Sequence, residues 1–451
     1  MSEQRQIDVQ NFIDEKSFSG YQILIFIFCF LIVAADGLDT VILGPLVPAL
    51  MHDWGVTRME LAPVFTAALI GLAIGSMGGG ILADKFGRRK VLIVSVFMFS
   101  IFSLASAFAG GVVEMTLLRF LTGIGLGAAM SNAVTLMSEY TPQRIRSRIV
   151  NTVFMGFVVG AWAGGYLAAW LVPHFGWHSL FYVGGLVPLA LSFAMFLLPE
   201  SPRFMVVQNW PQKKIARVLN KISPNSVTVN DKFTIVLPPQ VDGKSALSVI
   251  FSEKYLFGTI CLWITLFMGM VIFYFVTSWM PVIVKDAGFT LADGAKIMAL
   301  YPLGGLIGGI VVGYFMDKFN PHKAIAASYL LGAIFIGAIG FGFHDLTVLS
   351  SLVFVAGMFM SSAQGSMPTL AAAFYPTVGR ATGVSWMLGI SRLGSILGAA
   401  GGSLVLGLGL SLNVVFILLA IPGVIAAIAL MFKGGHMHRQ QELLKQQTQA
   451  A

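Results

Sequence analysis

Twelve runs of this sequence are apolar for long enough to cross a bilayer as helices, and no other feature narrows the fold as far. About 20 apolar residues span the hydrocarbon core. Runs of that order lie at 21–50, 61–83, 91–110, 114–138, 149–172 and 178–198, and again at 255–284, 293–316, 323–343, 347–374, 381–405 and 409–432. Only 11% of residues are charged, where soluble domains hold nearer a quarter, so the solvent of this chain is lipid. A net charge of +8 does not point to nucleic acid, because the basic residues sit in short stretches between apolar runs and form no patch. Fifty glycines suit close helix contacts in a bilayer. Cys29 and Cys261 lie inside apolar runs and read as small core residues, not as a disulfide or metal pair. Residues 1–20 mix acids and bases without a cleavage site, which predicts a tail and not a signal peptide.

Loop charge orients the helices. With the termini inside, the inner loops carry Lys85, Arg88, Arg89, Lys90, Arg144, Arg146, Arg148, Lys318, Lys323 and Arg380, whereas the outer loops hold only Arg58, Lys285 and Lys296. The expected organisation is a cytoplasmic tail (1–20), a six-helix bundle (21–198), a cytoplasmic central loop (199–254), a second six-helix bundle (255–432) and a cytoplasmic tail (433–451). The central loop contains a basic amphipathic piece, "PQKKIARVLNKI", expected as a short helix on the membrane surface. The loop reads as a tether between bundles, with a regulatory role as the alternative.

The halves repeat. "GILADKFGRRK" begins at Gly80 and "GYFMDKFNPHK" at Gly313, an offset of 233 residues; "TPQRIR" and "YPTVGR" place Arg146 and Arg380 at an offset of 234. Two different motifs at one offset predict an all-α membrane protein of twelve transmembrane helices in two pseudo-symmetric six-helix bundles, with a transport site between parallel repeats.

Few charges lie away from the helix ends: Asp36, Asp39, Arg119 and Arg392. Each costs roughly 2.5–3.5 kcal/mol at mid-helix, so partners are expected. At about 1.5 Å per residue, Asp39 lies roughly 28 Å from Gly20 and Arg119 about 30 Å from Glu139, which matches their depths. Asp36 lies about one turn nearer the centre. An Asp39–Arg119 ion pair follows, either as a proton switch or as a fixed salt bridge between helices. Desolvation and a neighbouring arginine pull a carboxylate in opposite directions, which lets it exchange a proton at working pH. Arg392 reaches the bilayer middle, roughly 18 Å from Ala381. Its guanidinium suits bidentate capture of a carboxylate, with a link to a polar neighbour as the alternative. Phe273, Tyr274, Trp279 and Trp386 offer ring faces to an aromatic ligand, or else face core and lipid. Asn132, Gln364, Ser361 and Ser362 are further polar candidates.

On these residues the chain resembles the major facilitator superfamily over essentially its whole length. "GILADKFGRRK" is similar to that superfamily's loop signature at every defining position; the copy at Gly313 keeps Asp317 and Lys318 but has Asn320, Pro321 and His322 in place of a glycine and two bases. "LLRFLTGIGLGAA" and "PESPRF" also resemble superfamily segments. Within it, "DGLDT" and "WMLGISRLGSILG" resemble the aromatic acid:proton symporters, although Ala399 and Ala400 stand where many relatives carry Gly-Pro.

The resemblance implies the major facilitator fold and proton coupling through Asp36, Asp39 and Arg119. It further implies a cytoplasmic gating network of Gly80, Asp84, Gly87, Arg88, Arg89, Glu139, Arg146, Asp317, Lys318 and Arg380. Positive-inside topology and helix capping are the plain alternative, adequate for Lys90 but not for the repeated Asp–Lys pair. The implied activity is import of an aromatic carboxylate with protons across a bacterial inner membrane, by a monomer that uses no cofactor beyond the proton. A symporter of muconate or another dicarboxylate is the nearest alternative, and a non-transporting aromatic-acid sensor a more distant one. No HExxH motif or Walker loop occurs, so neither an enzyme nor an ATP-driven pump is expected.

Overall fold

The computed structural model describes residues 5–235 and 246–450. Two short elements, β1 (Gln6–Asp8) and α1 (Val9–Glu15), precede the first six spans: α2 (Gly20–Trp54), α3 (Arg58–Phe86), α4 (Arg88–Ser106), α5 (Val112–Tyr140), α6 (Gln143–Phe175) and α7 (His178–Ala194). The central region holds α8 (Pro202–Val207), α9 (Gln212–Ile222), β2 (Lys232–Thr234) and α10 (Ala246–Ile250). Six more spans follow: α11 (Glu253–Asp286), α12 (Leu291–Lys318), α13 (Pro321–Ile339), α14 (Leu346–Phe374), α15 (Thr377–Gly407) and α16 (Leu412–Ala450). Among the described residues, twelve helices are long and apolar enough to cross a membrane.

Helix starts follow from side chains that satisfy the free N–H groups of the first turn. Asp345 accepts from the backbone N–H groups of Thr347 and Val348 at 2.6 and 3.2 Å to open α14. Thr290 and Asp293 form a reciprocal capping box at α12. Ser201 caps α8 with Pro202 at its first position, where a missing N–H is harmless.

Contacts divide the chain into two compact units. Unit 1 comprises Met1–Thr40, Ala67–Gly164 and His174–Gln240; unit 2 comprises Val41–Thr66, Gly165–Pro173 and Val241–Ala451. Inside each unit the helices touch backbone to backbone at glycines. In unit 1 a Cβ at Gly71, Gly75 or Gly160 would overlap the carbonyl of Phe120, Ile124 or Ala34. In unit 2 a Cβ at Gly304, Gly308 or Gly394 would overlap the carbonyl of Phe354, Met358 or Phe267. Each residue in the second set stands 233 or 234 positions after its counterpart in the first. The repeat seen in the loop motifs therefore extends to the packing of the helices.

One expectation for the polar segments is corrected. The amphipathic piece does form a helix, α9, but its apolar face does not rest on lipid. Ile215, Ala216, Leu219 and Ile222 are buried in one core with Ile7, Phe12 and Phe233. That core exists because the N-terminal tail is structured: β1 pairs in parallel with β2, matching Ile7 to Phe233. Asp14 then accepts from the Gln143 N–H at 2.7 Å, and Arg144 donates to the Lys16 carbonyl at 3.0 Å. At the other terminus, α16 runs on through the expected tail. Leu219→Ala should cost about 2–5 kcal/mol, the price of a buried leucine, and speed proteolysis between α8 and β2. An unchanged melting temperature would return α9 to the lipid surface.

Candidate functional site

In unit 1, Arg119 and Asp39 stand in a closed cluster. Arg119, from α5, is fully buried and Asp39, from α2, is 5% exposed. Nη1 of Arg119 lies 3.0 Å from Oδ1 and 3.3 Å from Oδ2 of Asp39. Its Nη2 donates to Ser106 Oγ at 2.8 Å and to Thr122 Oγ1 at 3.0 Å. The Phe181 ring covers the guanidinium with its centroid 4.9 Å from Cζ, within cation–π range. Ser103 Oγ donates to Asp39 Oδ1 at 3.3 Å. Fixed helical rise brought Asp39 and Arg119 to one depth in the sequence, and here they touch. Asp36 is buried one turn away. Between the two aspartates, a Cβ at Gly37 would strike the carbonyl of Phe157, so glycine is what lets α2 lie against α6 at this level.

Unit 2 does not gather the expected substrate residues into one place. Phe273 lies 5.4 Å from Tyr274 and 6.0 Å from Tyr301, ring centre to ring centre. Trp386 instead stacks on Trp263 at 5.9 Å and meets Phe251 edge-on at 5.8 Å. Trp279 is fully buried, donates its indole N–H to the Ala399 carbonyl at 2.8 Å and leans on Phe65 at 5.5 Å. That indole N–H ties α11 to α15. In unit 1, Asn132 directs its amide nitrogen to the carbonyls of Gly79 and Ala128, at 3.1 and 2.8 Å, and so links α5 to α3. Ser362 returns its hydroxyl to the Met358 carbonyl.

Two polar groups of unit 2 stand open. Gln364 is buried and its Nε2 has no hydrogen-bond partner. Arg392 is half-buried and has no carboxylate partner among the described residues. At about 100° per residue, it lies roughly 160° around α15 from Gly394, the face that packs on α11.

At the basic end of unit 1, Arg88 bridges Asp84 at 2.6 Å and Glu139 at 3.4 Å. Gly87 has φ +102°, a backbone conformation that favours glycine, and a Cβ there would press on the Glu200 carboxylate. A Cβ at Gly80 would meet nothing. Arg89 gives its backbone N–H to Glu200 Oε1 at 3.2 Å and its guanidinium to the Phe196 carbonyl at 2.5 Å. Arg146 does not reach Glu139; it caps the end of α5 through the Thr141 carbonyl at 3.3 and 3.2 Å.

Glu200, absent from the expected network, is one of its centres. Burial pushes its carboxyl above the ordinary range, against the opposing pull of the Ser201, Arg89 and Arg88 N–H groups and the Arg88 charge. The folded protein therefore keeps a proton on Glu200 at pH values where the unfolded chain has released it. That contribution to stability is complete below the ordinary carboxylate range and is lost as pH rises through the folded value. Glu200→Gln, neutral at every pH, should melt above the wild type at pH 8 and level with it at pH 4. An equal gap at both pH values would contradict this.

The model of the Major Facilitator Superfamily matches residues 29–341 and 297–449. The chain belongs to the Major Facilitator Superfamily. Within it, the chain falls among the aromatic acid transporters and is not an enzyme. It is 48% identical to the 4-hydroxybenzoate transporter PcaK of Pseudomonas aeruginosa, over 95% of this chain and 96% of that one. It is 44% identical to a gallate transporter of Pseudomonas putida, over 95% of each. Its fold matches the inward-open xylose transporter XylE of E. coli with a TM-score of 0.71 at 20% identity, covering 91% of this chain and 95% of that one.

In this major facilitator chain the second loop copy departs from the first for a physical reason. His322 stands 233 residues after Arg89, and Lys433 stands 233 after Glu200. Lys433 Nζ lies 2.8 Å from His322 Nε2 and 4.0 Å from the centre of the Phe374 ring. An arginine at 322 would face Lys433 with a second permanent cation, whereas a neutral imidazole accepts from it. Lys318 lies over the Tyr314 ring at 5.9 Å. The side chains of Asp317 and Arg380 lie outside the described residues.

Sequence reasoning missed Ser103, Ser106, Thr122 and Phe181. One signal for the first two was present: Ser100, Ser103 and Ser106 recur every third residue in an apolar helix and mark one buried face of α4.

Proposed function

We propose that this protein is a proton-coupled symporter that imports an aromatic carboxylate by alternating access across a bacterial inner membrane, with both termini cytoplasmic. The observation that carries the reading is the inequality of its two mid-membrane arginines. Arg119 has its carboxylate in Asp39, and Arg392 has none among the described residues. A guanidinium held in a helix without an anion is costly, and a substrate carboxylate completes it with two parallel hydrogen bonds. The named substrates of the relatives, 4-hydroxybenzoate and gallate, are aromatic carboxylates. Phe273 and Tyr274 supply ring contacts in the same unit as Arg392, and Gln364 Nε2 supplies a donor for a further polar group.

Asp39 carries the proton. An anion entering an inside-negative compartment is opposed by roughly 2.3 kcal/mol per 100 mV. One proton on Asp39 cancels that charge. Alternating access is supported by unit 2, which takes in Val41–Thr66 and Gly165–Pro173. There Arg58 is paired with Asp286, Phe65 leans on Trp279, and these contacts must part for the opposite face to open. The chain Asp84–Arg88–Glu139 acts as a latch at the basic end. Asp84 is largely exposed, so its pair adds little to stability and its role is conformational.

The test is uptake of labelled benzoate, 4-hydroxybenzoate, vanillate and muconate into proteoliposomes under an imposed pH gradient. Uptake of the aromatic acids, each competing with the others, is the expected result. Preference for muconate would replace the aromatic reading with the dicarboxylate one.

A further inference from the structure

The Asp39–Arg119 pair is asymmetric in what else holds it. Arg119 is fixed by three groups that do not titrate: Ser106 on α4, Thr122 on its own α5 and the Phe181 ring on α7. Both hydroxyls are oriented to accept. Ser106 Oγ gives its proton to the Phe102 carbonyl at 2.8 Å, and Thr122 Oγ1 gives its own to the Leu118 carbonyl at 2.8 Å. Each therefore turns lone pairs toward the guanidinium. All of these groups belong to unit 1. Asp39 is placed differently. It lies one residue before α2 passes from unit 1 into unit 2, at Thr40 and Val41. Beyond it α2 contains Pro45 and Pro48, each of which deletes an intrahelical hydrogen bond.

We propose that Ser106 and Thr122 form a neutral cradle that keeps Arg119 seated when Asp39 takes up a proton, so that protonation frees α2 and not the arginine. The inference rests on the proton-coupling role proposed for Asp39. One proton adds to a carboxylate oxygen of Asp39 and no other group changes charge. The ionic hold of α5 on α2 weakens, while Arg119 keeps two hydroxyl acceptors and a ring face. Without the cradle, neutralising Asp39 would leave a fully buried cation with a neutral carboxyl oxygen and a ring face, and the protonated state would be disfavoured.

Ser106 and Thr122 are thus positioning residues, and two independent readouts test them. The first is the thermal stability of the purified full chain, which needs no substrate. Asp39→Asn alone and Ser106→Ala with Thr122→Val should each lower the melting temperature modestly. Together they should lower it by several degrees more than the sum, because only then does a buried cation lose both its charged partner and its hydroxyl acceptors. The second readout is pH-driven uptake of 4-hydroxybenzoate. Removing each hydroxyl should lower the maximal rate about tenfold, the weight of a hydrogen bond to a charged group, with KM unchanged. Ser106→Thr and Thr122→Ser, which keep the acceptors, should restore most of the rate. Additive melting losses would overturn the cradle, as would a change confined to KM. Absence of uptake by the wild type, beside a non-additive melting cycle, would overturn the transport reading and leave the cradle standing.

Discussion

Asp39→Asn is expected to abolish accumulation of substrate against its gradient while exchange of internal for external substrate continues. An asparagine holds the same volume and can still receive the Ser103 hydroxyl and an Arg119 N–H, so the fold is kept although the ionic hold of α5 on α2 is lost. It cannot alternate between charged and neutral, so a proton gradient has nothing to act on. A gradient of one pH unit drives roughly tenfold accumulation per coupled proton, since about 1.4 kcal/mol is a factor of ten. The wild type should approach that ratio, and the variant should settle near unity. Exchange survives because it needs only the loaded carrier to reorient. A variant that accumulates like the wild type would remove Asp39 from the coupling role and leave its pair with Arg119 as a structural bridge.

The second large effect is expected at Arg392. Arg392→Lys keeps the charge but loses the planar fork that meets both carboxylate oxygens, and KM should rise about tenfold. Arg392→Ala removes the charge as well. Its KM should rise about a hundredfold or more, in line with truncating one side of a buried charged pair. The accumulation ratio at saturating substrate should stay near that of the wild type, which separates binding at Arg392 from coupling at Asp39. An unaltered KM in both variants would make Arg392 a helix-packing residue.

What could be read from the sequence depended on which coordinate a residue's role required. Depth was accessible because helical rise is constant, so Asp39 and Arg119 were matched before any contact was known. Azimuth was not accessible. Trp279 and Phe273 lie in the same helix, yet one is locked to the Ala399 carbonyl and the other sits among rings beside Tyr274 and Tyr301. The hydroxyls around Arg119 escaped notice for the same reason. Serine and threonine are common in transmembrane helices, and only the rotation of α4 and α5 turns Ser106 and Thr122 toward one guanidinium. The amphipathic face of α9 was legible, but lipid and protein are equally apolar coverings. The choice between them lay with the three-residue strand β1, too short to leave a periodic trace. The repeat was the strongest long-range signal, because its offset of 233 to 234 residues predicted paired loops and also held for paired glycines across four different helix contacts.

Protons and substrate that move together leave a trace in external pH. Purified protein in lightly buffered proteoliposomes would receive a pulse of 4-hydroxybenzoate, with protein-free liposomes correcting for passive diffusion of the neutral acid. The expected result is alkalinisation of the medium in step with substrate uptake, absent in Asp39→Asn. Substrate uptake at the wild-type rate with no protein-dependent change in external pH would contradict it.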